Sequence, residues 1–223
     1  MTAALCFDHY DWAGGREAML RVGPAGAPMV VVAPPLFGEA NRTRAFLVAL
    51  LHALAARGIS GALPDLPGQG ESLVPTRDAA LVDWRRAFAA AAARLDGRAH
   101  VVAVRGGALV DSDADVASRW HLSPVDGVTQ VRELERLRSA AGDGETLFGG
   151  NDLLPSLLTA LQDAKPVAVA PLRVVRLVGD PRPADATYAF APPWRTAEPQ
   201  RHDALATTLA ADIAPWICAC AAF

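Results

Sequence analysis

Arg105 is the residue whose chemistry most needs explaining. It follows His100–Val104 (HVVAV), an apolar, β-branched run of the kind buried on both faces of a sheet, and it precedes Gly106 and Gly107. A guanidinium is permanently protonated, so it serves as neither nucleophile nor base. It can hold a carboxylate, sulfate or phosphate through paired N–H donors. A helix starting here would add free backbone N–H groups, and the glycines would let a ligand approach the chain. A structural bridge to an acid such as Asp65 or Asp111 is the alternative. Glu39 and Arg42 follow a second buried run, Met29–Ala33 (MVVVA), and the Pro34-Pro35 that ends it. Charges so placed, with Phe37 beside them, face a cleft at the strand ends or stand on a solvated loop. Trp194, after Pro192-Pro193, walls the same cleft or packs inside.

The elements that must position these groups alternate along the chain. Ile59–Leu63, Val116–Leu122, Leu172–Val178 and Ala186–Ala191 read as further strands. Phe46, Leu50 and Leu54 share one helical stripe, with Asn41 placed to cap its start and Arg57-Gly58 to stop it. Further helical patterns cover 78–95, 128–141 and 153–162, and a last one carries Leu205, Leu209, Ile213 and Trp216. Segments 5–9 and 17–22 predict an antiparallel edge. Strand and helix in this rhythm predict an α/β fold: a mostly parallel sheet with helices on both faces, formed by residues 1–223 as one domain.

Composition sets the outer limits. The chain has 223 residues, 52% of them hydrophobic, and a formal net charge of −3. That balance predicts a packed globular protein with no affinity for nucleic acid. Cys6, Cys218 and Cys220 are too few and too badly placed for a disulfide framework or a four-ligand metal site. No cofactor or metal is expected. No run reaches the roughly 20 apolar residues of a membrane span, and no basic leader opens the chain, so a cytoplasmic protein is the expectation. Oligomeric state is left open.

Asp65-Leu66-Pro67-Gly68-Gln69-Gly70-Glu71-Ser72 reads as a tight turn whose aspartate holds local amides. With the strand, Pro-Pro loop and helix before it, this run is similar to the first half of α/β-hydrolases, where a strand ends in D-x-x-G-x-G-x-S. Within that superfamily the chain resembles the exosortase A system-associated hydrolases, found with exopolysaccharide and protein-sorting loci. The residues that carry this are 34–44 (PPLFGEANRTR), 65–72, 104–109 (VRGGAL), 123–127 (SPVDG) and 192–194 (PPW).

The resemblance implies an α/β-hydrolase fold with little or no lid. It also implies that Arg105 stands where the superfamily places a serine nucleophile, on the sharp turn G-x-S-x-G. Asp180 and His202 lie where the family's acid and base often lie, so Asp180 would orient His202. Ser72 and Ser112 are poor substitute nucleophiles. Two functions compete. One is hydrolysis of an ester or thioester in a glycan- or lipid-linked substrate, by water that His202 activates. The other is a pseudo-enzyme or accessory protein whose Arg105 holds an anionic group. A Rossmann-type nucleotide site is disfavoured, because Gly68-x-Gly70 lacks the third glycine and the helix that should follow.

Overall fold

The computed structural model describes residues 5–221, apart from 143 and 145. An antiparallel hairpin, β1 (Leu5–Trp12) and β2 (Gly15–Val22), forms one edge. Then follow β3 (Met29–Ala33), helix α1 (Gly38–Ala55), β4 (Ser60–Pro64), helix α2 (Leu81–Ala93) and β5 (His100–Val104). The second half holds β6 (Ser118–Leu122), helix α3 (Gly127–Ala141), a two-stranded ribbon of β7 (Leu147–Phe148) and β8 (Asn151–Asp152), and helix α4 (Pro155–Gln162). It ends with β9 (Leu172–Leu177), β10 (Ala186–Tyr188) and helix α5 (Asp203–Ala221). The eight-stranded sheet has the order β1-β2-β4-β3-β5-β6-β9-β10. Its last six strands all pair in parallel, as the alternating pattern predicts.

Two apolar layers sandwich this sheet. On one face α1 and α5 close over Val30, Val32, Val102, Val104 and Trp120. On the other, α2, α3 and α4 close over Val31, Ala33, Val101 and Ala103. Alternate residues of β3 and β5 thus serve opposite layers, which is why both strands read as unbroken apolar runs. Leu134 of α3 and Leu153, Leu157 and Leu161 near α4 are buried in the second layer, so the segment between β6 and β9 packs as part of the body.

Two expectations need correction. Helix α1 starts three residues before Asn41, after Phe37, whose backbone φ of 59° turns the chain into the helix without a side-chain cap. Nor does a full helix follow β5. Arg105–Leu109 make one short 3₁₀ segment, and a loop then leads straight into β6. In that loop the acid Asp111 is fully buried, held by Arg119 Nε and His121 Nε2 at 3.1 Å each. With no helix of two or more turns, the free N–H groups and dipole expected at Arg105 are not assembled.

The two glycines after Arg105 have different work. A Cβ on Gly107 would run into the backbone carbonyls of Ala33 and Pro34, whereas one on Gly106 would meet the side chains of Gln130 and Leu36. Side chains can move aside and a buried strand end cannot. Gly107→Ala should therefore cost about 3 kcal/mol or more and Gly106→Ala about 1–2 kcal/mol. Denaturant titration of the pair checks the ranking, and equal losses would show that the β3 end yields.

Candidate functional site

Arg105 leaves β5 with a left-handed φ of 54°, a conformation that side-chain-bearing residues seldom adopt. The turn lifts its side chain above the sheet, where it is 7% exposed. Its charge is met from two helices. Nε donates to both Glu39 oxygens at 3.3 and 3.2 Å, and Nη2 reaches Glu39 Oε1 at 3.1 Å. The same Nη2 reaches the Glu133 oxygens at 2.9 and 2.8 Å. The Trp194 ring lies 5.2 Å from the guanidinium carbon, a cation–π contact. The bridge partners foreseen from sequence are engaged elsewhere: Asp65 with Arg44 at 2.6 Å, and Asp111 with Arg119 and His121.

Electrostatics follow from this burial. Desolvation pushes the Glu39 carboxyl above the ordinary range, and the attraction of Arg105 offsets that only in part. Desolvation also works against the charged form of Arg105, but the two glutamates outweigh it and the guanidinium stays protonated.

Around this cluster a cleft opens in two lobes that share Arg105, Glu133, Trp194 and Arg195. The larger, about 580 Å³, is lined by Phe37, Glu39 and Arg42 with Leu134, Leu137 and Gln130 of α3. The smaller, about 310 Å³, is lined by Ser123, Arg132, Gly179, Asp180 and Arg182. Phe37, Glu39, Arg42, Arg105 and Trp194 thus line one lobe together. Phe37 is mostly buried, its ring edge against Trp84 with centroids 5.6 Å apart. Arg42 Nη1 donates to the Trp194 carbonyl at 3.4 Å, which ties α1 to the tryptophan segment.

Asp180 and His202 are not brought together. Arg182 Nε and Nη2 and Arg176 Nη1 hold the Asp180 carboxylate at 2.7–2.8 Å. Burial alone would raise its pKa, but the two guanidiniums hold it well below the usual carboxylate range. A carboxylate so stabilised is a weak proton acceptor. His202 lies at the start of α5 with its ring edge toward Phe46, 6.3 Å between centroids, and it lines neither lobe. Ser72 is tied into the turn, accepting from Gly68 N and donating to Glu17. Ser112 bonds to Asp113 on the surface.

Sequence reasoning missed several cleft residues. Glu133, Gln130 and Arg132 sit in α3, whose charged pattern reads as an ordinary solvated face. Ser123 follows β6 with φ 45°, and its buried Oγ has no hydrogen-bond partner. Gln130 Oε1 is buried without a partner as well. Three of the four non-glycine residues with positive φ, Phe37, Arg105 and Ser123, line this cleft. Backbone strain of this kind concentrates at functional sites.

Comparison with solved structures places the architecture. Mouse alpha/beta hydrolase domain-containing protein 10 superposes with a TM-score of 0.68 at 14% identity, covering 95% of this chain and 98% of that one. Est1E from Butyrivibrio proteoclasticus, solved with ferulic acid bound, gives 0.65 at 17% identity over 95% and 99%. The bottromycin epimerase BotH gives 0.56 at 15% over 95% and 99%. The chain has the α/β-hydrolase fold. At these identities the likeness extends to the fold and not to the chemistry. No protein-family model and no curated protein matches the sequence.

Within this α/β-hydrolase fold the ion cluster over β5 should contribute to stability. Arg105→Ala would strand Glu39 and Glu133 and should cost about 3–5 kcal/mol near pH 7. The sign of the pH dependence is set by the carboxylates. Without Arg105 the folded pKa of Glu39 rises further above its unfolded value, so its ionisation costs stability as pH rises and costs nothing once it is protonated. The deficit against wild type should shrink as pH falls through the raised range of Glu39, above the ordinary carboxyl value. Melting curves of both proteins across pH check this, and a pH-independent deficit would mean that Arg105 acts through packing alone.

Proposed function

We propose that this chain is an α/β-hydrolase-fold binding or accessory protein that does not form an acyl-enzyme. In this reading Arg105 occupies the nucleophile turn, and the cleft above it holds a small, anionic, partly apolar ligand. A single observation carries it: the residue at the end of β5, on the strained turn, is a guanidinium committed to Glu39, Glu133 and Trp194. No covalent route passes through that position. Hydrolysis by activated water would need Asp180 and His202 as a pair, and each has different surroundings.

The charge of the cleft supports an anionic ligand. Arg42, Arg105, Arg132, Arg136, Arg182 and Arg195 line it, against Glu39, Glu133 and Asp180. That surplus of positive charge stands out in a protein of net charge −3. Phe37, Glu39, Arg42 and Trp194 form the ligand-facing wall in this reading. The sequence resemblance to exosortase-associated proteins makes a glycan- or lipid-linked compound the substrate class to try first.

Treatment with a fluorophosphonate probe tests the proposal. Wild type should show no stoichiometric labelling at any serine and no turnover of short-chain esters or thioesters. Labelling at Ser72, Ser112 or Ser123 would overturn it. So would ester turnover that His202→Ala abolishes.

A further inference from the structure

The two lobes differ in chemistry, and together they describe one ligand. In the smaller lobe four guanidiniums, from Arg105, Arg132, Arg182 and Arg195, face two carboxylates, Glu133 and Asp180, a surplus of two positive charges. Arg105 is committed to its glutamates, but the other three are not spent. Arg182 uses Nε and Nη2 on Asp180 and leaves Nη1 free. Arg132 and Arg195 are exposed, and their guanidiniums have no hydrogen bond or ion pair among the described residues. These three arginines come from three separate segments, α3, the loop after β9 and the turn at Trp194, and line the same lobe.

An independent observation marks the floor of the same lobe. Ser123 is 1% exposed, its φ is 45°, and its Oγ has no partner. An unpaired buried hydroxyl costs free energy unless something else completes it. A strained residue that carries one just after a strand, in the lobe that three arginines also line, is placed to donate to a bound oxyanion.

We propose that this lobe binds the phosphate of an amphipathic phosphate monoester whose apolar part lies in the adjoining lobe, against Leu36, Phe37, Leu134 and Leu137. The inference rests on the binding function proposed above and names its ligand class. A dianion matches the surplus of two charges. A tetrahedral oxyanion can take donors from three directions and from below, whereas a planar carboxylate offers its lone pairs in one plane. The second lobe supplies aliphatic and aromatic surface, continuous with the first through Trp194 and Arg195.

Calorimetric titration with octyl phosphate, inorganic phosphate and octanol tests each half. Octyl phosphate should bind at least tenfold more tightly than either of the others, because it alone fills both lobes. The double variant Arg132→Ala/Arg195→Ala alters two exposed side chains, so it should keep the wild-type melting temperature and lose about tenfold or more in affinity for octyl phosphate. Ser123→Ala should also bind several-fold more weakly, while its unliganded melting temperature stays level or rises. Octyl phosphate binding no tighter than octanol would overturn the phosphate subsite. Binding no tighter than inorganic phosphate would overturn the joined apolar lobe. Unchanged affinity in the double variant, or retention on phosphatidate vesicles with no binding of soluble octyl phosphate, would also defeat the proposal. Serine labelling by a fluorophosphonate is a separate readout, so failure of the broader function would be told apart from failure of this ligand.

Discussion

A guanidinium at the end of a buried strand must be neutralised where it stands, and much of the cleft follows from that demand. Arg105 cannot retreat into solvent, because the turn that ends β5 holds it over the sheet at 7% exposure. Glu39 reaches it from the first turn of α1, Glu133 from α3, and the Trp194 ring covers its face. One side chain thereby ties together the segment after β3, the end of β5, the helix after β6 and the turn before α5. Removing Arg105 leaves two part-buried carboxylates close together without their cation, which is more costly than the net gain from forming the cluster.

The chain around Arg105 is built for close approach. β5 passes to β6 through a 3₁₀ segment and a loop, where parallel strands are more often joined by a helix. The short crossing brings Gly107 against the backbone after β3. It also buries Asp111, which Arg119 and His121 must then satisfy. A full helix would have presented a positive dipole end at the cleft floor. Without it, the positive field comes from arginine side chains on the rim, carried by α3 and by the segments after β9 and β10.

Much of the architecture was legible in the chain itself. Both-face burial of β3 and β5 required unbroken apolar runs, and those runs are explicit in MVVVA and HVVAV. Asp65 through Ser72 read as a tight turn, and there Asp65 Oδ2 accepts from Glu71 N while Gly70 passes too close to the carboxylate for any Cβ. Gly58 ends the first helical region in the left-handed conformation its position implied. The boundaries were less legible. A helix start at Asn41 satisfied capping rules, yet Gln69 reaches back to hold the Phe37 amide, and the helix begins earlier.

What local sequence determined, then, was the order of the elements, the two-faced burial of the central strands, and the guanidinium that ends β5. Each of these depends on neighbours a few residues apart, through periodicity, β-branching and glycine. Tertiary structure alone decided the rest. Glu133 is 28 residues from Arg105 and Glu39 is 66 away. No local pattern states that a surface-like glutamate in α3 will be pulled onto a buried cation. The same holds for Asp180, which Arg176 and Arg182 capture while His202 turns toward α1. It holds for Ser123, whose buried hydroxyl the packed fold leaves without a partner. Long-range pairing of charges and the stranding of a polar group are properties of the packed molecule. They arise from which groups compete for each partner after desolvation, and that competition exists only once the chain has folded.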